Sequence, residues 1–251
     1  MKIALCFSGQ PRFIKECSID IIQNVIRNYD VDVYAHFWFD EGLQTQPYKY
    51  GGNGNWQHQR ILKTAIEDFQ NIYRPVKLVT EPSKSFVHSK LHFESSLHRY
   101  WKGGINNPLE PNFRERMINN TLSYFYSLNE VNKLKKINEY EKDFKYDVVI
   151  RCRTDAHIKS SLKFEDYNLN LINYSGMQNQ PDGMINDWFD FGNSEVMDAF
   201  MSVFSVSELI LKKCLTENNN AWCPEMMHRK MVDCFGIQSQ GHPIHIVLPR
   251  F

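Results

Sequence analysis

The chain has 251 residues, with 29 Lys and Arg against 29 Asp and Glu, so its formal net charge is zero. That balance argues against a general nucleic-acid binder, which carries a basic excess. Hydrophobic residues at 42% and charged residues at 23% exclude a disordered chain, and the length suits one α/β domain with a substantial core.

Lys2 to Phe7 is a short apolar run ended by Ser8-Gly9-Gln10-Pro11-Arg12, and it reads as a buried first strand. It is too short for the core of a signal peptide, so the expectation is a cytoplasmic protein. Ile14 to Tyr29 carries apolar residues at helical spacing. Val31 to Phe39 is a second strand, rich in β-branched and aromatic residues. Gly42 to Asn55 reads as a mobile loop, Gln57 to Tyr73 as an amphipathic helix, and Val76 to Thr80 as a third strand. Pro82 to Pro111 is irregular. Phe113 to Tyr140 is a long helical pattern with one expected break, and Asp147 to Ile158 is the strongest strand signal. Ser194 to Leu215 and Pro224 to Phe235 read as helices, the second with Pro in its first turn. Pro243 to Leu248 reads as a last strand.

The alternation of strands and helices predicts a mostly parallel central sheet with helices on both faces. Ligands of such sheets bind beyond the carboxyl ends of the strands, where strand order reverses. Two strand ends are therefore candidates. In the first, Gly9 lets the backbone approach a ligand, and Arg12 suits a phosphate. In the second, continued extension places Arg151, Arg153, Asp155 and His157 on one face. Two guanidinium groups suit a diphosphate, and a carboxylate with an imidazole two residues away suits one divalent cation.

Neither a dinucleotide-type glycine fingerprint nor a Walker-type loop is present. The six cysteines contain no C-x-x-C pair and read as reduced structural thiols; Cys214, Cys223, Cys234 and His242 match no compact zinc motif. Lys133, Lys135 and Lys136 read as a solvated helix face in preference to a peripheral membrane contact, and no apolar run is long enough to span a bilayer.

Several segments, in order over nearly the whole chain, resemble one family. They are SGQPR after the first strand, VDVYAHFW, YSLNEVNKLKK, YDVVIRCRTD, the stretch from Ile185 to Met197, and PEMMHRKM. The family is a bacterial and viral group of glycosyltransferase-like proteins related to WavE-type lipopolysaccharide-synthesis proteins. The resemblance implies a single GT-A-like domain. Its nucleotide-sugar-binding half would span about 1–158 and its acceptor-binding half about 159–251. It also implies transfer of a sugar from a nucleotide-diphosphate sugar to a glycan or lipid-linked saccharide.

In GT-A enzymes a D-x-D motif at a strand end holds Mn2+ or Mg2+ against the donor diphosphate. Here Arg153 stands where the first Asp would be, whereas Asp155-Ala156-His157 is similar to the D-x-H variant of polypeptide N-acetylgalactosaminyltransferases. That implies Asp155 and His157 as metal ligands, with His245 or His242 as a third. It also leaves a metal-free alternative in which Arg151 and Arg153 compensate the charge. The resemblance further places Ser8, Gly9, Gln10, Arg12, His36, Trp38 and Tyr126 near the donor. An inverting enzyme needs a carboxylate to take the acceptor proton. Asp187 is the first candidate, Glu225 at a helix start the second and Asp190 the third. Trp188 and Trp222 are candidates for stacking on sugar faces. The rival readings are a catalytically silent nucleotide-sugar-binding protein, a nucleotidyltransferase on a similar sheet, and a structural interaction protein.

Overall fold

The computed structural model describes residues 1–40, 61–95, 113–176, 184–216 and 223–249. The expected loop at Gly42 to Asn55, the start of the helix expected from Gln57, and Trp222 lie outside these residues. The first half builds β1 (Lys2–Gly9), α1 (Ile14–Ile21, extended by a wider π-helical turn over Ile22–Ile26), β2 (Asp30–Trp38), α2 (Ala65–Tyr73) and β3 (Lys77–Glu81). Then come α3 (Lys90–Ser95), α4 (Phe113–Glu141), β4 (Val148–Cys152) and β5 (His157–Ile158). The second half contributes β6 (Ile172–Ser175), β7 (Phe189–Gly192), α5 (Ser194–Phe200), α6 (Val203–Thr216), α7 (Pro224–Phe235), β8 (Ser239–His242) and β9 (Ile246–Val247).

The fold is α/β. Its seven-stranded sheet has the order β3-β2-β1-β4-β7-β6-β8. β1, β2, β3 and β4 run parallel, β6 pairs parallel with β8, and β7 alone runs antiparallel between β4 and β6. β5 and β9 form a separate two-stranded sheet. All five residues of β4 are buried, because both faces of the sheet are covered. Val148, Ile150 and Cys152 pack with α1 and α2, whereas Val149 packs with the α4 side. Strand order reverses between β1 and β4: the chain moves outward from β1 to β3, then returns to lie on the other side of β1. That crevice is where ligands of open α/β sheets bind.

Five expectations need correction. The segment from Asp147 to Ile158 is not one strand. β4 stops at Cys152, the backbone turns at Thr154 and Asp155, and β5 joins the other sheet. α4 runs unbroken for 29 residues. It contains no Gly or Pro, and its buried stripe continues past Val131 in polar form, through Asn132, Lys135, Asn138 and Glu139. Lys135 is therefore not on a solvated face. It is fully buried and reaches Glu139 Oε2 at 3.0 Å, Ser194 Oγ at 2.7 Å and Asp198 Oδ1 at 2.7 Å. The helix expected over Ser194 to Leu215 is two, parted at Met201 and Ser202. Asn193 is its N-cap, accepting from the Val196 N–H at 2.9 Å, because Ser194 is drawn away to Glu139. The last strand, expected over Pro243 to Leu248, shortens to β9, and β8 precedes it at a place where no strand was expected.

Candidate active site at the β1–β4 crevice

The loop after β1 is shaped by two left-handed residues, Gly9 at φ 100° and Phe13 at φ 52°. For phenylalanine that conformation is strained, and such residues persist where the surrounding structure holds them. Between them the Gln10 carbonyl accepts from the Arg12 N–H at 3.0 Å and from Thr154 Oγ1 at 3.2 Å. The Arg12 N–H also donates to Thr154 Oγ1 at 3.1 Å. Thr154 thus fastens the end of β4 to the loop after β1.

This fastening brings two guanidinium groups onto one carboxylate. Arg153 Nε and Nη2 donate to Asp155 Oδ1 and Oδ2 at 2.8 and 2.9 Å, a two-point fork, and Arg12 Nη2 lies 3.2 Å from Asp155 Oδ2. Burial alone would raise the Asp155 carboxyl, but the charges of Arg153 and Arg12 hold it well below the usual carboxylate range. Arg153 Nη1 reaches Asp187 Oδ2 at 3.2 Å. The Ile185 N–H donates to the Glu225 carbonyl at 3.3 Å, so the first turn of α7 sits against the segment carrying Asp187. Burial and the Asp187 charge both push the Glu225 carboxyl up.

Arg151 is not in this crevice. It is completely buried on the α4 side of the sheet, 2.7 Å from Asp190 Oδ2. It donates to the backbone carbonyls of Asp187 and Asn186. Fully buried, it does not fit the expected contact with a donor phosphate; it holds the backbone of Asn186 and Asp187. Asp190 is equally buried, and burial pushes its carboxyl up to about 7 against the pull of Arg151. It faces Arg151 and not solvent, so it does not fit the role of third candidate base.

A second group forms at the ends of β2 and β3. His36 Nε2 is 3.0 Å from Glu81 Oε1, and Nδ1 is 2.9 Å from Ser127 Oγ. Burial lowers the His36 pKa, so the ring is neutral at pH 7. A carboxylate only accepts, which places the proton of the neutral ring on Nε2, while the Ser127 hydroxyl donates to the His36 carbonyl at 3.0 Å. Tyr126 and Lys84 also donate to Glu81, each at 3.0 Å. Despite burial, which raises it, these bonds with His36 hold the Glu81 carboxyl at about 2. Trp38 stacks on Tyr126 at 5.5 Å, and the Lys84 ammonium lies 3.6 Å from the Tyr126 ring centroid. Ser127 Oγ accepts from the Gly9 N–H, which joins this group to the β1 loop.

The structure therefore gathers Gly9, Gln10, Arg12, Arg153, Asp155 and Asp187, with Glu225 beside them, His36 joined to the loop through Ser127, and Trp38 and Tyr126 packed against His36. Ser8, 8% exposed, is the last buried residue of β1 and pairs with His36 in the register. The residues expected to hold Mn2+ or Mg2+ do not come together. Both Asp155 oxygens face guanidinium groups, His157 Nδ1 is 2.5 Å from Asp20 Oδ2, and His245 is exposed on the two-stranded sheet side. The His242 imidazole is 2.8 Å from Asn173 Oδ1. Among the described residues no three His, Cys, Asp or Glu side chains converge as metal ligands. This donor set does not fit the ion. Glu81 and Thr154 were not anticipated from sequence. Glu81 follows directly on the run read as β3, and its place at a strand end was the available signal.

No family model matches the chain, and no curated protein is similar to it. Among the described residues no helix is long and apolar enough to cross a membrane.

Proposed function

We propose that the chain is a single-domain, GT-A-like glycosyltransferase that moves a sugar from a nucleotide-diphosphate sugar to a saccharide acceptor. The observation that carries this reading is the convergence of Arg12 and Arg153 at the carboxyl ends of β1 and β4, with Asp187 and Glu225 alongside. Glycosyl transfer leaves negative charge on the departing nucleoside diphosphate. Guanidinium groups fixed in a partly buried crevice stabilise that charge without reorganising. A carboxylate must take the acceptor proton if configuration inverts. Glu225 suits that task, because its raised pKa makes it a better base than an ordinary carboxylate, while Asp187 is tied to Arg153. The resemblance to the WavE-related family supplies the saccharide acceptor.

The test is a thermal-shift and calorimetric screen with UDP, GDP, CDP and their sugars, each with Mn2+ and with EDTA. A ligand at 100 times its Kd adds about 2.7 kcal/mol of stability. Binding by one nucleotide family, followed by release of its diphosphate in the presence of a saccharide acceptor, is the expected result. Glu225→Gln then lowers turnover by about 100-fold or more with binding retained. Failure of every nucleotide to bind would overturn the reading.

A further inference from the structure

In the crevice two arginines are already matched by two carboxylates, with the Glu225 carboxyl beside them. Arg12 and Arg153 are cations, Asp155 and Asp187 are anions, and the four are joined by contacts of 2.8 to 3.2 Å. A diphosphate adds at least two further negative charges. It must arrive with a cation, or it must take the place of a carboxylate.

Asp155 stands where such an exchange happens. It fills the two-point fork of Arg153 and meets Arg12 from the same oxygen. A guanidinium fork accepts two phosphate oxygens in the geometry in which it accepts two carboxylate oxygens. Asp155 lies in the turn between β4 and β5, not inside a strand, so its displacement breaks no ladder. The alternative, a metal ion bridging Asp155 to the ligand, lacks donors. Its expected partner His157 is held by Asp20, and no third ligand converges among the described residues.

From this geometry we infer that Asp155 is a resident counter-ion seated in the place of a ligand phosphate, and that a diphosphate binds by displacing it from Arg12 and Arg153 without a bridging metal. The inference rests on the nucleotide-diphosphate reading above and adds to it a built-in competitor. Because its neighbours keep Asp155 ionised, that competition persists throughout the working pH range.

The experiment is calorimetric titration with inorganic pyrophosphate, in EDTA and again in Mn2+. It compares the unaltered protein with Asp155→Asn, Asp155→Ser and Arg153→Gln, each checked for fold by circular dichroism. Asparagine keeps the shape of the side chain; serine serves if the amide disturbs folding. Removal of one competing charge at these distances predicts pyrophosphate binding tighter by about tenfold in both Asp155 variants. Binding by the unaltered protein should be the same in EDTA and Mn2+, and Arg153→Gln should lose it. Weaker binding by the Asp155 variants, or a requirement for Mn2+, overturns the inference while leaving the diphosphate site standing. No binding by any form overturns both.

Discussion

Ser127 Oγ and the Gly9 N–H meet at 2.8 Å across 118 residues of sequence. One hydroxyl on α4 thereby satisfies the last donor of β1 and contacts His36 at both the imidazole and the carbonyl. Ser127→Ala leaves the Gly9 N–H without this partner in a largely buried place. The expected loss is about 2 kcal/mol in urea unfolding. Pyrophosphate binding should weaken as well, since the loop that presents Arg12 starts at Gly9.

The buried Lys135 allows a cleaner energetic test. Lys135→Met strands Glu139, which is 2% exposed. Breaking one side of a buried pair is strongly destabilising, and the expected loss is about 3 kcal/mol. It falls at the low end because Lys145 Nζ still approaches Glu139 Oε2 at 3.1 Å. The double variant Lys135→Met, Glu139→Gln should recover part of that loss in the same unfolding experiment.

A pH dependence follows from His228. The ring is completely buried, stacked on Phe125 at 5.3 Å and met edge-on by Phe200 at 4.2 Å. Its Nε2 is 3.3 Å from the Tyr124 hydroxyl, and its Nδ1 has no hydrogen-bond partner among the described residues. Burial, aided by the Arg151 charge, pushes its pKa well below the ordinary 6.5. The unfolded chain therefore takes up a proton below pH 6.5 that the folded chain refuses, so the His228 contribution to stability falls as pH drops from 7 to 5. One such histidine contributes a slope of up to about 1.4 kcal/mol per pH unit. His228→Phe should remove this contribution; His36, His92 and His242, whose pKa values are also lowered, act in the same direction, while Asp190, raised to about 7, and Glu225, also raised, act in the opposite one. An unchanged slope would rule this account out.

Arg151 offers a test of positioning. Arg151→Lys keeps a cation for Asp190 but gives up the planar reach to the carbonyls of Asn186 and Asp187. The expected cost is about 2 kcal/mol of stability. Turnover should fall more than donor binding does, because the segment against which Glu225 is seated loosens while Arg12 and Arg153 remain. Restored turnover at lowered temperature would separate loosened geometry from lost chemistry.

Much of the framework is legible in sequence. β1 and β2 stand out as apolar runs that the sheet buries on both faces. The bounds of α7 follow from Pro224 at its first turn and Gly236, at φ 64°, just past its end. The strand ends also point to the crevice, since strand order alone tells where such sheets leave one. Three features escape this reading for physical reasons. Alternation with period two cannot see the turn at Thr154, where neither Gly nor Pro announces it. A lysine in a basic cluster reads as surface, and only the fold reveals Glu139, Ser194 and Asp198 around Lys135. Arg151 and Arg153 share a parity, and their division of labour depends on β4 ending at Cys152, between them. That division is set by the antiparallel β7, which delivers Asp190 to one arginine and Asp187 to the other.

The matched charges in the crevice also bear on how a ligand arrives. A cleft lined by one sign of charge reaches into solvent and accelerates encounter, and that reach collapses as salt is added. Two cations locked against two carboxylates project little field beyond their own contacts. An anionic donor would find this site by unaided diffusion, at a rate nearly indifferent to ionic strength. Selectivity would then be exercised after contact, when the arginines change partners.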